Sequence, residues 1–210
     1  MRSLIYLFSS MPLSLPYYRS SKLSTWVSNQ LSSGTIKHTV VFSSAMAQYI
    51  SETDIACSVI DFVDVDSDKW SQYASTKVWP QKWVYQREAD LLLEYEKYVT
   101  KKCSYATFVS EKEAGLFKQL SPEVENKITY FNNGVDTEYF SPSQNFANPY
   151  KPDTRVLVFT GAMDYWPNVD AVRWFAAELF PAICTKIPDL EFYIVGARPT
   201  KTVLELSAIP

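Results

Sequence analysis

Three aspartates crowd the end of an apolar segment that is predicted to be a strand, Val59–Val63. They are Asp61, Asp64 and Asp66. Ligands of open α/β sheets bind at the carboxyl ends of strands. Two carboxylates two residues apart, Asp64 and Asp66, could orient an acceptor hydroxyl or hold a divalent cation. The alternative is that they cap the helix beyond Ser67 and are solvated. Asp64 and Asp66 are the candidate catalytic residues.

Two glycines in the second half of the chain end segments that are also predicted to be strands. Gly161 follows Val156–Thr160, and Gly196 follows Leu190–Val195. A glycine at this place lets the backbone approach a phosphate, and the helix N-terminus that follows adds a partial positive charge. Each glycine could instead serve only a tight turn. Both are candidates for a phosphate-binding loop.

Other polar residues are better explained by local structure. Ser43 and Ser44 follow an apolar run, Thr39–Phe42, where capping of the next helix is the favoured role. Glu88 and Glu96 lie eight positions apart on a predicted helix. We expect these two glutamates to be exposed helix charges.

The elements that must position these residues alternate between strands and helices. Apolar residues at helical spacing predict helices from Ser20 to Gly34 and from about Trp79 to Lys102. Short runs of strand-forming residues predict strands at Thr39–Phe42, Val59–Val63, Tyr105–Val109, Ile128–Phe131, Val156–Thr160 and Leu190–Val195. This alternating order predicts an α/β protein with parallel sheets.

Helix ends carry their own signals. Ser110 and Glu113 fit a capping box, in which the hydroxyl and the carboxylate each accept a free backbone N–H. Asn168 is expected to cap a later helix, and Pro181 is expected to kink or end it. A last helix is predicted from Pro199.

A seam between two domains is predicted after Ile128–Phe131. Asn132-Asn133-Gly134 has the composition of a turn, because Asn and Gly tolerate positive φ. Tyr139-Phe140 and Pro142 then suit a chain that leaves one packed unit and enters a linker. Beyond this point the strand–helix order restarts with only two strands, so we expect the second domain to be truncated.

Composition limits the function classes. The chain has 210 residues, 47% hydrophobic and 20% charged, which is ordinary for a globular protein with a core. Its net charge is −3 with a pI near 5.3, which argues against non-specific nucleic-acid binding. No nucleic-acid partner, metal or cofactor is assigned.

Cysteines and hydropathy indicate the compartment. Cys57, Cys103 and Cys184 lack metal-ligand spacing and are interpreted as reduced core thiols, which suits a reducing cytoplasm. The apolar run Leu4–Phe8 is too short for a secretory signal. Nothing reaches the length of a membrane span, and peripheral contact with the inner face of the plasma membrane stays open.

Several phrases together resemble glycosyltransferase family 4. Asn133-Gly134-Val135-Asp136, followed by Phe140 and Pro142, resembles that family's Asn-Gly-Val-Asp-x-x-x-Phe-x-Pro. Val156–Gly161 with Asn168-Val169-Asp170 resembles the opening of its nucleotide-sugar domain. Tyr193–Gly196 resembles the next strand and turn.

A tighter resemblance is to the sugar transferases of bacterial exosortase (PEP-CTERM) exopolysaccharide systems. It covers nearly the whole chain. The phrases that carry it are Pro12–Tyr18, Phe42–Tyr49, Asp61–Ser67 and Gly161–Asn168.

The resemblance implies the GT-B architecture, in which two Rossmann-like domains face each other across a cleft. It implies an incomplete acceptor-side domain over 1–140, a linker over 141–153 and the start of a nucleotide-sugar domain over 154–210. Asn133, Gly134 and Asp136 would form the hinge. The residues that would contact the donor are Gly161, Ala162, Asn168 and Gly196.

The implied partners are a nucleotide-sugar donor and a lipid-linked or polysaccharide acceptor. Many family members carry a catalytic or acceptor-orienting His near Val63 or Asp64, and this chain has none there, so that role cannot be carried over. The family's basic pair and its two donor-contacting glutamates are also absent, so we expect these 210 residues alone to be inactive. The alternative is a non-catalytic α/β binding or scaffold module from a degenerate gene.

Overall fold

The computed structural model describes residues 5–51 and 54–208. The chain forms two compact units, Met1–Asp136 and Thr137–Pro210, which we call unit 1 and unit 2. Each unit contains a parallel sheet with helices between its strands. The predicted α/β class with parallel sheets is confirmed.

Unit 1 contains four strands and five α-helices among its described residues. The strands are β1 (Thr39–Phe42), β2 (Ser58–Val63), β3 (Tyr105–Phe108) and β4 (Ile128–Tyr130). The helices are α1 (Ser14–Tyr17), α2 (Ser21–Ser32), α3 (Asp66–Ser75), α4 (Gln81–Lys102) and α5 (Glu111–Leu120). Short 3-10 segments span Ser44–Tyr49, Ile55–Cys57 and Pro122–Lys127.

The sheet of unit 1 has the order β1-β2-β3-β4, and neighbouring strands are parallel. Its register aligns Val41, Ile60, Ala106 and Ile128 in one row, and all four are buried. This row alternates with exposed residues of β1, as the two faces of a strand require. One face of the sheet therefore carries the core.

Three phenylalanines fill the centre of this core. Phe62 and Phe108 stack with ring centroids 5.5 Å apart, and Phe117 of α5 lies 5.1 Å from Phe108. Each is at most 1% exposed. Burial of each ring contributes on the order of 2 kcal/mol, so this cluster stabilises the packing of α5 on the sheet.

Helix α4 corrects the prediction that Glu88 and Glu96 are exposed. Glu88 is 2% exposed and Glu96 is 1% exposed. Both lie on the same face of the helix as buried Leu92, because steps of four residues repeat on one face. Helix α3 packs on α4 and covers Glu96, whose partner is Ser67, whereas the start of α1 covers Glu88, whose partners are Leu13 and Ser14.

The capping box at α5 forms only in part. The Ser110 hydroxyl accepts the N–H of Glu113 at 3.2 Å, as predicted. The Glu113 carboxylate does not return to Ser110. It accepts the N–H of Val65 at 2.9 Å, which joins α5 to the segment that follows β2.

Unit 2 contains two paired strands, β5 (Arg155–Thr160) and β6 (Leu190–Val195). Its described helices are α6 (Trp166–Trp174), α7 (Phe180–Cys184) and α8 (Lys201–Leu204). A π-helical segment, Phe175–Leu179, joins α6 to α7, and a 3-10 segment spans Glu205–Ala208. Met163, Val172 and Val203 form its buried core.

The predicted cap of the first helix of unit 2 is wrong, and the predicted break at Pro181 is compatible with the structure. The helix starts at Trp166, and Asn168 lies in its first turn with its side-chain amide donating to the carbonyl of Ala162 at 3.1 Å. Helical structure continues past Pro181 to Cys184. The α-helical pattern is interrupted before this proline by the π-helical segment Phe175–Leu179, and Pro181 lies in the first turn of the next helix, α7, as the predicted break at Pro181 allows.

The predicted hinge phrase adopts a different backbone from the one expected. Asn133, Gly134 and Asp136 are exposed and lie in a segment without regular structure. Gly134 is not among the residues with positive φ, so the tight turn is not there. The turn lies further on, over 137–140. The domain boundaries and the hinge role stay predictions.

The cysteines are free thiols, but only Cys103 belongs to the core. Cys57 is exposed and Cys184 is half-buried, so the prediction of three core thiols is wrong for these two. In the part of the chain that the structure describes, no helix is both long and apolar enough to cross a bilayer.

Candidate functional site

A cavity of about 540 Å³ lies in unit 1 beside the segments that follow β1 and β2, and we call it the strand-end pocket. Its polar lining residues are Ser14, Ser43, Ser44, Asp66 and Glu88. Its aromatic lining residues are Tyr17, Tyr18, Trp70 and Tyr85. The volume is that of a small-molecule site, and the position is where open α/β sheets bind ligands.

Asp66 is the predicted catalytic residue that the structure places on this pocket. Its Oδ2 accepts a hydrogen bond of 3.1 Å from Ser44 Oγ, and its Oδ1 lies 3.5 Å from Lys69 Nζ. Burial raises the pKa of Asp66 above its usual range, and the Lys69 charge and the Ser44 hydrogen bond offset only part of that rise. About a third of the side chain remains exposed. Asp66 is thus an oriented carboxylate that a ligand can reach.

Asp64 is placed differently. Its Oδ2 lies 2.6 Å from Lys69 Nζ, and its side chain is not part of the pocket lining. Burial lowers the pKa of Lys69, but the hydrogen bond to Asp64 and the charge of Asp66 raise it more, so the pKa rises overall. The structure therefore separates the two aspartates: Asp66 lines the pocket, and Asp64 holds the lysine.

The backbone is strained at both strand ends. Ser43 has φ 75° and ψ 141°, and Val63 has φ 70°, a region that is especially unfavourable for a β-branched residue. Asp61 supports both places, since its carbonyl accepts from Ser43 N–H at 2.7 Å and its Oδ1 accepts from Val63 N–H at 3.0 Å. Such strain concentrates at functional sites. Asp61 is a backbone support here.

The capping role expected of Ser43 and Ser44 is not observed. Neither side chain accepts a cap hydrogen bond at the 3-10 segment Ser44–Tyr49. Ser44 is 2% exposed and uses its hydroxyl to hold Asp66. The sequence predicted a cap because the free N–H groups at a helix start are usually satisfied by a serine side chain.

Glu88 is the site residue that the sequence prediction missed. Its carboxylate accepts the N–H groups of Leu13 and Ser14 at 2.5 and 2.9 Å, and the Ser14 hydroxyl at 2.7 Å. These bonds fix the start of α1 and hence the pocket wall that carries Tyr17. A signal was present in the sequence, because Glu88 falls on the same helical face as Leu92.

Aromatic rings form the walls of the strand-end pocket. Trp70 meets Tyr85 edge-on with centroids 5.2 Å apart, and Tyr17 meets Tyr18 in the same way at 4.9 Å. Tyr17 is 70% exposed, so much of its ring is available to a ligand. Apolar ring faces beside carboxylates and hydroxyls suit a molecule that has both C–H surfaces and hydroxyl groups.

The predicted donor residues of unit 2 lie together at the carboxyl ends of β5 and β6. Gly161 N–H donates to Val195 at 3.0 Å, and Asn168 donates to Ala162 at 3.1 Å. A Cβ on Gly196 would lie 1.6 Å from the carbonyl oxygen of Gly161. Close contact of the two loops therefore requires glycine at 196, whatever else the residue does.

The loop after β6 also carries a charged group. Arg198 Nε donates to Asp164 Oδ2 at 2.6 Å, which joins the loops that follow β5 and β6. This hydrogen bond holds the pKa of the Asp164 carboxyl below its usual range. Gly196 also borders an apolar cavity of about 560 Å³ on the side of Phe192.

Metal chemistry has no evident ligand set within residues 5–51 and 54–208. No three His, Cys, Asp or Glu side chains of this part of the chain are grouped as a metal site would require. The pair of Asp64 and Asp66 instead surrounds the Lys69 ammonium. The lysine occupies the place that a cation held by these two carboxylates would take.

The sequence matches no protein-family model, and no curated protein matches it significantly.

Proposed function

We propose that the chain is part of a glycosyltransferase that moves a sugar from a nucleotide-sugar donor to a lipid-linked or polysaccharide acceptor. In this proposal the two units correspond to the Rossmann-like domains of a GT-B enzyme of family 4. Unit 1 binds the acceptor in the strand-end pocket, and unit 2 binds the donor at the loops after β5 and β6. The motif resemblance and the chemistry of the pocket both support it.

The observation that carries the proposal is the oriented Asp66 carboxylate in an aromatic-walled pocket. Carbohydrates present hydroxyl groups, which bind carboxylates and serine hydroxyls, and C–H faces, which pack on aromatic rings. The strand-end pocket offers both kinds of group, with Asp66 and Ser43 beside Trp70 and Tyr17. Carboxylates that accept from hydroxyls make strong hydrogen bonds, so Asp66 would dominate acceptor orientation.

Asp66 has a defined role in the proposed reaction. Its carboxylate accepts the proton of the acceptor hydroxyl while that oxygen bonds to the anomeric carbon of the donor sugar and the nucleoside diphosphate leaves. A raised pKa suits this work, because a base acts best when its pKa is near the operating pH. The Ser44 hydrogen bond keeps the carboxylate in position.

Unit 2 supplies the complementary chemistry. Gly161 and Gly196 bring two backbone loops into close contact at the ends of parallel strands. Backbone N–H groups at such places can bind the diphosphate of a nucleotide sugar. In this proposal Gly161, Ala162, Asn168 and Gly196 form the donor side.

A binding experiment tests the proposal. Calorimetry and ligand-observed NMR of the 210-residue chain are run with neutral oligosaccharides and with UDP-, GDP- and ADP-sugars. We expect an oligosaccharide to bind at least tenfold more weakly to Asp66→Asn than to the wild type. Nucleotide-sugar binding should be unchanged in this variant, because its site is in unit 2.

Asp68→Asn is the matched control. Asp68 lies in the same first turn of α3, but its carboxylate accepts from Gln72 and it does not line the pocket. Equal losses in both variants, or a chain that binds neither class of ligand, would contradict the proposal. Oligosaccharide binding without any nucleotide-sugar binding would instead support a non-catalytic carbohydrate-binding module.

A further inference from the structure

The strand-end pocket carries more negative than positive charge. Two of its lining residues, Asp66 and Glu88, are carboxylates, and no Lys, Arg or His of the described part of the chain lines it. The nearest cation to Asp66 is Lys69, which lies outside the lining and is paired more closely with Asp64. Three carboxylates and one ammonium group thus lie in and beside the pocket, which leaves it negative.

Glu88 is a buried anion without a cationic partner. It is 2% exposed, and no ion pair among residues 5–51 and 54–208 includes it. Its carboxylate accepts three hydrogen bonds, from the N–H of Leu13 and from the N–H and hydroxyl of Ser14, and such bonds favour the ionised form. Its neighbour in α4, Arg87, donates to backbone carbonyls before α1 and lines a different cavity. The charge of Glu88 therefore acts on the strand-end pocket.

Four aromatic rings line the same pocket. Trp70 and Tyr85 come from α3 and α4, and Tyr17 and Tyr18 come from the C-terminal end of α1. The face of an aromatic ring attracts a cation that lies within about 6 Å of its centroid, and tryptophan attracts it most strongly. Aromatic rings and carboxylates in one cavity are the groups that recognise an ammonium ion. An anionic ligand would be repelled by both.

We propose that the strand-end pocket selects a sugar that carries a free amino group, whose ammonium lies on the aromatic rings in the field of Asp66 and Glu88. This inference rests on the proposed function, which makes the pocket the acceptor site, and it adds the chemical class of the acceptor. An N-acetylated sugar lacks the positive charge, and a uronic acid carries a negative charge. Both should bind more weakly than the amino sugar.

A sugar fits the pocket better than a simple amine does. The Asp66 oxygens have one partner each, Ser44 at 3.1 Å and Lys69 at 3.5 Å, whereas a carboxylate can accept about four hydrogen bonds. Asp66 can therefore accept from a sugar hydroxyl while the ammonium lies on the rings. The cavity of about 540 Å³ also leaves room beside the ammonium for a sugar ring.

Calorimetry tests the inference. The 210-residue chain is titrated with the β-1,4 disaccharide of glucosamine, with its N-acetylated form, with a disaccharide that contains glucuronic acid and with ethylamine. The pH is one at which the amines are protonated. We expect the glucosamine disaccharide to bind at least tenfold more tightly than the N-acetylated form and than ethylamine. The glucuronic acid disaccharide should not bind measurably.

Variants separate the contributions of ring and charge. Trp70→Leu should reduce the preference for the free amine at least fivefold, whereas Trp70→Phe, which keeps a ring, should retain most of it. Asp66→Asn should weaken binding of the amino sugar more than binding of its N-acetylated form, because a charge is lost as well as an acceptor. Asp68→Asn removes a carboxylate that does not line the pocket, so it should leave the preference unchanged. Circular dichroism verifies that the variants fold.

Each remaining outcome has a defined meaning. Equal binding of the free and N-acetylated disaccharides, with nucleotide-sugar binding intact, would overturn the inference and leave the proposed function standing. Ethylamine or a lysine peptide that binds as tightly as the amino sugar would also overturn it, since the sugar hydroxyls would then contribute nothing. A tenfold preference for the free amine without any nucleotide-sugar binding would support the selectivity and contradict only the proposed function.

Discussion

The carboxyl group of Glu96 accepts a 2.6 Å hydrogen bond from the hydroxyl of Ser67, and both side chains are buried where α3 packs on α4. The other oxygen, Oε1, is also buried and has no hydrogen-bond partner in the described part of the chain. Burial raises the pKa of Glu96 from 4.5 to about 8, with a smaller contribution from the charge of Asp66. Glu96 is therefore largely protonated at neutral pH.

This protonation makes the stability of unit 1 pH-dependent. Between pH 4.5 and 8 the unfolded chain releases the proton of Glu96 while the folded chain keeps it. The free energy of unfolding should thus fall by about 1.4 kcal/mol per pH unit from this group and level off above pH 8. In Glu96→Gln this dependence should disappear. The free energy of unfolding of the variant should therefore rise relative to that of the wild type as the pH rises.

Urea unfolding between pH 5 and 8, monitored by hydrogen exchange of the amides of α4, measures the difference in unfolding free energy between the variant and the wild type for unit 1 alone. Glu94→Gln is the control, because its side chain is 73% exposed on the same helix. Parallel stability curves for wild type and Glu96→Gln would show that Glu96 is ionised in the folded protein.

Glu88 should hold the pocket wall in place. Glu88→Ala removes three hydrogen bonds to Leu13 and Ser14, and each bond to a charged group is worth about 1.5–3 kcal/mol. We expect faster hydrogen exchange at residues 13–18 and weaker oligosaccharide binding. Glu94→Ala should change neither. Protection of residues 13–18 that survives Glu88→Ala would refute the positioning role.

Gly196 should be irreplaceable for steric reasons. In Gly196→Ala the new methyl group would meet the carbonyl oxygen of Gly161, a backbone atom that cannot rotate away. We expect unit 2 to lose about 3 kcal/mol, measured as the thermal unfolding of β5 and β6. Gly115→Ala is the opposite control, since its Cβ meets no atom within 4 Å and lies in α5, where alanine should add about 1 kcal/mol. A neutral Gly196→Ala would disprove the close contact.

The backbone conformation of Ser43 beside the pocket should lower the stability of unit 1. Its φ of 75° and ψ of 141° lie in a region that glycine occupies at little cost. Ser43→Gly should therefore raise the unfolding free energy by about 1 kcal/mol, and Ser43→Val should lower it. Chemical denaturation measures both. If the two variants shift stability in the same direction, the backbone there is not strained.

Local signals explain what could be predicted for the fold. Apolar spacing located every strand of the two sheets to within a residue or two, and Ser20 and Ser110 marked helix starts. The prediction that Asn168 caps the helix failed because its amide donates instead to the carbonyl of Ala162. The prediction of a tight turn at Gly134 failed because glycine allows a positive φ without requiring it.

By itself the sequence determined the α/β class, the positions of the strands along the chain and the crowding of Asp61, Asp64 and Asp66 at a strand end, since these depend on neighbours within a few positions. Only the tertiary structure decided which aspartate reaches the pocket and that Glu88 and Glu96 are buried. Glu88 bonds residues 74 and 75 positions away, and Glu96 meets Ser67 across 29 positions. Helical spacing puts Glu88, Leu92 and Glu96 on one face, but which distant groups cover that face depends on contacts between segments far apart in the chain.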